Sequence, residues 1–242
     1  FEGYYIQRVG KTIYERYNKH FNMKAWMLES NAEMDFGLAA TVKRNPIETG
    51  EPHEFKDWYN CYPIEYEGYN RWFDYLLDGC NVRLNTEIVN FDIDNKQVIL
   101  SDGEKVKSDI IVSTISPDTI MDYQYGELRY MGRECYFMVL PIEEIFPEDT
   151  YFLYYPSPTV KQTRIVEYKK FTQYKSPNTL LVMEVPSQMN KLYPMLIQKE
   201  VDLAQRYIDA LPDHVFSVGR MGTYPYIDID DIILAGFKFR DE

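Results

Sequence analysis

Asp109-Ile110-Ile111-Val112-Ser113-Thr114-Ile115-Ser116-Pro117 is the stretch on which the fold turns. Ile110, Ile111 and Val112 form an apolar β-branched run, and Ser113 and Thr114 close it with small hydroxyls. β-branched side chains pack well on a pleated surface. A short run with no polar alternation suits a strand buried on both faces, as in a parallel sheet. Its polar exit falls where ligands sit in open α/β sheets, beyond the carboxyl ends of the strands. The plainer alternative is an ordinary buried strand with a polar exit.

Outward from this run, strand and turn signals dominate the middle of the chain. Ile88–Ile93 and Gln97–Leu100 flank the polar turn Asp94-Asn95-Lys96, and Ser101-Asp102-Gly103 marks a second turn. Val82–Leu84 reads as a short strand. Residues 135–141, 149–155, 161–170, 179–185 and 214–218 read as further strands from β-branched and aromatic alternation. Helical periodicity appears at both ends. Ile6, Val9, Ile13, Tyr17 and Phe21 make one stripe over 4–22. A weak helix spans 31–42. A short one at 69–78 has Tyr69, Trp72, Phe73, Leu76 and Leu77 inside and Gly79 beyond its end. Val201, Ala204, Tyr207, Ile208 and Leu211 share a face over 197–211. Asp228 opens a last helix at 228–238. Residues 44–68 are polar and aperiodic, which suggests a long functional loop. The pattern predicts a mixed α/β (α+β) fold.

Composition narrows the function. The 242 residues carry 26 Lys and Arg against 38 Asp and Glu, a net charge of −12, which disfavours a broad nucleic-acid or anionic-membrane surface. Cys61, Cys80 and Cys135 are widely spaced and read as free thiols of a reducing compartment. His20, His53 and His214 lie apart and suggest no metal site. No apolar run nears the ~18 residues of a membrane span, and no leader pattern opens the chain. A cytoplasmic, soluble protein is expected. The first residue is Phe1, so the chain reads as processed or as part of something longer.

Several residues are candidates for chemistry. Gly219-Arg220 comes directly after strand 214–218. A glycine lets backbone approach a ligand, and an arginine can pair with phosphate. Asp228 at a helix start would leave N–H groups facing an anion. Arg164 sits alone in an apolar strand, either paired with a carboxylate or aimed at a substrate phosphate. Tyr193, Tyr224 and Tyr226 are the tyrosines best placed for a sugar-nucleotide platform. Glu143-Glu144 and Asp230-Asp231 read as solvated charges. No GxGxxG, GxxxxGK[ST] or GxSxG occurs in the chain.

Taken in order, many segments together resemble the UDP-galactopyranose mutase family. Tyr5-Ile6-Gln7-Arg8-Val9-Gly10-Lys11-Thr12-Ile13-Tyr14-Glu15 is similar to that family's YVIxxVGxxLYE. Phe21-Asn22-Met23-Lys24-Ala25-Trp26 is similar to YTxKQW, and Val42-Lys43-Arg44-Asn45-Pro46-Ile47 to IKRIPV. Gly68-Tyr69, Leu77-Asp78-Gly79, Thr114–Asp118 and Tyr125–Leu128 come next. Then come Thr163-Arg164-Ile165-Val166-Glu167, Glu184-Val185-Pro186, Tyr193-Pro194 and Val218–Asp228. The resemblance covers nearly the whole chain and the C-terminal two-thirds of a family member.

It implies an FAD-dependent isomerase that interconverts UDP-galactopyranose and UDP-galactofuranose without net redox. Reduced flavin N5 attacks the anomeric carbon, UDP departs, and the ring opens and recloses. Arg164, Tyr193 and Tyr224 would be the catalytic contacts to phosphate and sugar. Trp26, Arg44 and Tyr226 would bind substrate, and Gly219, Arg220 and Asp228 would lie by the flavin. The implied division is 1–80 as a helical and mobile-loop substrate region, 81–120 as part of the FAD-binding domain, 121–195 as a β-sheet substrate domain and 196–242 as the rest of the FAD-binding domain. The implied partners are a UDP-sugar and a second copy of the chain.

Three positions depart from the pattern. The family's GxGxxG unit is not in this chain, and its loop arginine falls on Glu48. Two further diphosphate contacts fall on Met131 and Ile227. The losses cluster on the diphosphate, with Lys43, Arg44, Lys161, Lys169 and Lys170 available to compensate. Two other functions stay open on these residues. One is an amine-oxidase-like flavin oxidoreductase. The other is a non-catalytic sugar-nucleotide-binding module.

Overall fold

In the computed structural model, which describes residues 1–34, 61–65, 67–172 and 174–241, the N-terminal stripe does not run straight. Helix α1 (Glu2–Ile13) breaks at Gly10, whose φ is 78°, and a π-helical turn, Tyr14–Asn18, joins it to α2 (Lys19–Trp26). The wider turn shifts the facing of the residues after it. Ile13, which follows the Gly10 break, and Tyr17, within the turn, leave the expected stripe and are exposed, and Tyr14 turns inward. The buried Asn31 amide donates to its hydroxyl at 3.1 Å and to the Lys19 carbonyl. Of the expected helix at 31–42, one 3-10 turn, Asn31–Glu33, lies among the described residues.

The chain divides into two compact units. The first holds Phe1–Ala32, the described residues between 61 and 82, and Arg133–Met189. It contains α1, α2, α3 (Gly68–Leu76) and most of an antiparallel sheet. Strand β5 (Tyr130–Leu140) enters this unit from the second. Beyond it lie β8 (Thr179–Ser187), β7 (Arg164–Glu167) and β6 (Phe152–Tyr154), in that order across the sheet. Register pairs Arg164 with Glu184 and Tyr154 with Arg164. The expected strand 161–170 ends early, because residues Lys169–Thr172 form a helical turn, α5. Helix α3 does not bury its apolar stripe: Tyr69, Phe73, Leu76 and Leu77 are exposed, and Tyr69 faces a cavity.

The second unit holds Arg83–Gly132 and Asn190–Glu242 together with the residues from Glu33. Strands β1 (Ile88–Asp92), β2 (Gln97–Leu100) and β3 (Lys105–Lys107) form an antiparallel meander. No strand forms over Val82–Leu84, and β3 has too few apolar residues to show in the sequence. The Ile110–Val112 run yields β4 (Ile111–Ser113). It pairs in parallel with β10 (Val215–Ser217), in register Ile111↔Val215. The parallel pairing agrees with the sequence, but burial on both faces does not. Ile110 is 56% and Val112 50% exposed, because no third strand joins this pair among the described residues.

The core of this unit forms around Leu128, Tyr130, Ala204, Tyr207 and Tyr224. Helix α4 (Pro117–Ile120) and helix α6 (Gln198–Asp209) pack against it. Asp118, at the start of α4, is fully buried. It accepts from the Ser116 hydroxyl, the Thr119 and Leu128 N–H groups and Lys191. Strand β9 (Tyr193–Pro194) pairs with the first residues of β5. Helices α7 (Gly219–Thr223) and α8 (Ile229–Asp241) close the chain.

Candidate functional site

In the first unit, the strand register that sets Arg164 opposite Glu184 also sets the chemistry of a large cavity. An isolated cation in a sheet is costly unless paired. Arg164 donates from Nε and Nη2 to Oε1 of the buried Glu184, at 3.1 and 2.7 Å. Burial disfavours the charged guanidinium, but the hydrogen bonds and charge of Glu184 outweigh it, so Arg164 holds its proton more tightly than usual. The Tyr154 hydroxyl, its register partner's side chain, adds a further interaction, and the Arg164 side chain is 30% exposed. Of the two sequence readings of Arg164, the carboxylate pairing is observed, and the residue also lines the cavity.

That cavity has a volume of about 890 Å3. Its walls include the rings of Tyr62, Tyr69, Phe152, Tyr168, Phe171 and Tyr174, and the charged residues Arg164, Lys169, Glu65 and Glu67. Phe171 packs between Tyr62 at 4.6 Å and Tyr151 at 5.1 Å, and the Arg164 guanidinium lies 5.6 Å from the centre of the Phe152 ring. Burial raises the Tyr62 hydroxyl pKa, and Arg164 opposes that shift. Large, ring-walled cavities with few convergent polar groups are the usual form of small-molecule sites. One guanidinium and stacked rings can hold an aromatic base together with an anionic group. The sequence reading missed this wall. Tyr62 and Pro63 lie inside the 44–68 stretch expected to be functional, but nothing in the spacing of Phe152 and Phe171 distinguishes them from core aromatics.

The second unit brings together Tyr193, Tyr226, Gly219, Arg220 and Asp228. The Tyr193 and Tyr226 rings stack at 5.8 Å, and the Arg220 guanidinium lies 5.5 and 5.2 Å from their centres. Arg220 donates from Nε to the Ile227 carbonyl at 2.7 Å and pairs with Asp228 at 3.6 Å. Gly219 has φ 76°, and beyond its chain neighbours and its own helix backbone no heavy atom lies within 4 Å of the point a Cβ would occupy. Its backbone is open to close approach at the C-terminal end of β10. Gly222 is closed in instead: a Cβ there would sit 2.8 Å from Ser217 Oγ and 3.2 Å from the Ser113 carbonyl, so α7 packs directly on the two parallel strands. Asp228 stands just before α8, and its N–H donates to the Asp231 carboxylate at 3.4 Å.

The other expected residues have different settings. Tyr224 is 3% exposed and belongs to the core of the second unit. Its hydroxyl donates to the Arg129 carbonyl and accepts from the Met195 N–H at 3.2 Å, and burial drives its pKa up. Tyr224→Phe removes both bonds and leaves two backbone groups unpaired. The expected loss is about 1–3 kcal/mol, read as a fall of several degrees in Tm by calorimetry. Trp26 is the last residue of α2 and half-buried. Arg44 and Glu48 lie outside the described residues. Met131 is fully buried, and Ile227 contributes its carbonyl to Arg220.

Two of the compensating lysines are occupied. Lys169 donates to the Ser176 and Asn178 carbonyls, and Lys170 to those of Phe146 and Pro147. Lys161 stays exposed. No cluster of three metal-ligating side chains occurs among the described residues. No helix among them is long and apolar enough to cross a membrane.

The described elements define a mixed α/β protein with a parallel strand pair, a glycine-opened loop beyond it and, in the first unit, an aromatic, arginine-bearing cavity. A family model described as UDP-galactopyranose mutase matches residues 16–226, and the chain belongs to that family. It is 26% identical, over its whole length, to a probable UDP-galactopyranose mutase of Klebsiella pneumoniae, of which it covers 60%. Its fold is similar to a crystal structure of reduced UDP-galactopyranose mutase, with a TM-score of 0.69 at 13% identity over 93% of this chain and 63% of the other. The chain thus spans less than two thirds of each of these relatives. Members of the family depend on FAD.

Proposed function

We propose that this chain forms the substrate-binding part, and one edge of the flavin site, of an FAD-dependent isomerase. That enzyme interconverts the six- and five-membered ring forms of a UDP-linked galactose. The observation that carries the proposal is Arg164. It is held by Glu184 in the wall of a ring-lined cavity of nucleotide size, with 30% of its side chain exposed. The rings of Tyr62, Phe152 and Phe171 would take the base or sugar faces, and Arg164 would take a phosphate oxygen. Trp26 and Arg44 would add to the substrate contacts of this unit.

The residues present fit part of a flavin. The open backbone at Gly219, with Arg220 fixed by the Ile227 carbonyl, offers an edge that a planar ring system can meet closely. Tyr193, Tyr226 and Asp228 border that edge, and Tyr224 supports it from the core. Residues 81–120 and 196–242 would then belong to the flavin side, and 1–80 and 121–195 to the substrate side. The pyrophosphate of FAD has no glycine-rich cradle in this sequence, so no residue of this chain is assigned to it. When bound in reduced form, the flavin supplies the nucleophile for the anomeric carbon. This chain's residues hold the sugar and the departing phosphate and keep water out.

The diphosphate contacts missing at Met131 and Ile227 predict weaker binding than a full set would give, since each charge-assisted hydrogen bond is worth about 1.5–3 kcal/mol. The test is a titration of the full-length, FAD-loaded protein with UDP, monitored by intrinsic fluorescence. Saturable quenching, competed by UDP-galactose and not by ADP, is the expected result. No saturable change at any UDP concentration overturns the assignment of the cavity.

A further inference from the structure

The β6–β7 loop of the first unit closes around an ammonium group supplied by helix α2. Tyr155 and Ser157 each precede a proline, which keeps both residues out of helical geometry and removes two backbone N–H groups from the loop. The loop therefore has more carbonyls than local donors. Four of them converge on one atom. Lys24 Nζ donates to the carbonyls of Tyr155, Ser157 (2.9 Å), Val160 (3.3 Å) and Gln162 (2.8 Å). An ammonium has three N–H bonds, so at least one is shared. These carbonyls are its only hydrogen-bond partners among the described residues, and none of its contacts is a carboxylate. Burial lowers the Lys24 pKa, in keeping with a cation held by neutral dipoles alone.

We propose that Lys24 is the built-in cation of a carbonyl cage that fixes the β6–β7 loop and so positions Arg164. A free monovalent ammonium can replace the Lys24 head group when the side chain is cut back. The link to Arg164 is short. The Tyr155 N–H donates to the Thr163 carbonyl, and the Thr163 N–H to the Glu184 carbonyl, each at 2.9 Å. Arg164 is the next residue, opposite Tyr154 in register. A loop released from its cage frees the two strand ends that set the guanidinium against Glu184. Lys24 is a positioning residue. The cage stands by itself, and its consequence for substrate rests on the proposed function.

The test compares wild type, Lys24→Ala and Lys24→Met. Alanine leaves room for n-propylammonium, which replaces the missing atoms one for one. Methionine fills the channel with no charge and strands the four carbonyls. Both variants should melt several degrees below wild type. Propylammonium chloride should raise the Tm of Lys24→Ala well beyond the effect of equimolar tetramethylammonium chloride, and should leave wild type and Lys24→Met unchanged. Equal effects of the two salts on Lys24→Ala overturn the cage.

UDP affinity should fall about tenfold or more in Lys24→Ala and return with propylammonium. Thermal rescue with unchanged UDP affinity overturns the positioning role and leaves the cage. A wild type that binds no UDP while the thermal rescue succeeds counts against the proposed function alone. If the variants fail to fold, wild type decides the cage by amine acetylation and peptide mass spectrometry. Lys24 should react at least about tenfold more slowly than Lys11, whose side chain is 74% exposed. Equal rates overturn the cage.

Discussion

Replacing Arg164 with leucine is expected to lower the affinity for UDP by roughly two to four orders of magnitude and to destabilise the protein as well. The first effect is the loss of about two charge-assisted hydrogen bonds to phosphate, each worth about 1.5–3 kcal/mol, with every 1.4 kcal/mol a factor of ten. The second effect has another origin. Glu184 is 6% exposed, and in the variant its charge has lost the guanidinium that compensates it. Breaking a buried pair on one side costs about 3–5 kcal/mol, whereas replacing both partners with apolar groups is often neutral.

The two effects therefore separate in a double variant. Arg164→Leu with Glu184→Leu should recover most of the lost Tm but none of the lost UDP binding. Recovery of both would show that Arg164 serves the fold alone. Recovery of neither would show that the pair matters to the sheet in some way beyond charge. Fluorescence titration and calorimetry on the same three proteins decide among these outcomes.

Glu167→Gln should also strongly destabilise the first unit. Glu167 ends β7 with its carboxylate fully buried. Oε1 accepts the Ile145 N–H at 3.0 Å and the Thr179 hydroxyl at 2.5 Å, and Oε2 accepts the Phe146 N–H at 2.9 Å. One side chain thus gathers donors from the loop after β5 and from β8. A glutamine turns an acceptor into a donor against these N–H groups, so at least one is left facing another donor. Losing the charge assistance and burying an unpaired group together cost about 2–5 kcal/mol.

The pH dependence has a definite sign. Burial pushes the Glu167 pKa up, but Thr179 and the Phe146 and Ile145 N–H groups outweigh it and hold the carboxyl below its ordinary value of 4.5. A carboxylate depressed by folding adds stability that is complete above the unfolded value and is lost as pH falls through the folded one. The wild-type advantage over Glu167→Gln in urea unfolding should be full at pH 7 and shrink below about pH 4.5. An advantage that stays constant down to pH 3 would contradict the carboxylate's role.

Sequence and structure agree where local patterning and tertiary packing act together. Gln97–Leu100 forms its strand as read, and the Ile111–Ser113 strand pairs in parallel with Val215–Ser217. They part where a few residues change the geometry of many. Gly10 and the π-helical turn at Tyr14–Asn18 rotate the N-terminal stripe, and no spacing rule applied to Ile13 and Tyr17 anticipates that. The site shows the same division. Arg164 stood out because it is a lone cation in an apolar strand. The rings that share its cavity did not, because Phe152 and Phe171 acquire their meaning only when β6 and α5 meet the 61–70 segment. Tyr224 matched the family pattern, but its hydroxyl serves backbone partners in the core. Lys24 matched the lysine of the family's YTxKQW, but its role was not legible, since the four carbonyls that surround it belong to a loop more than a hundred residues away.

Under the proposed function, Arg164 and its cavity would serve a ring isomerisation without net redox. The direct measurement is an anaerobic incubation of the full-length, FAD-reduced protein with excess UDP-galactofuranose, tracking both the product and the reducing equivalents. UDP-galactopyranose should accumulate to many turnovers per protein with no reducing equivalents consumed, and Arg164→Leu should abolish it. Absence of product with the flavin fully loaded and reduced, or consumption of reductant in step with product, would contradict the account.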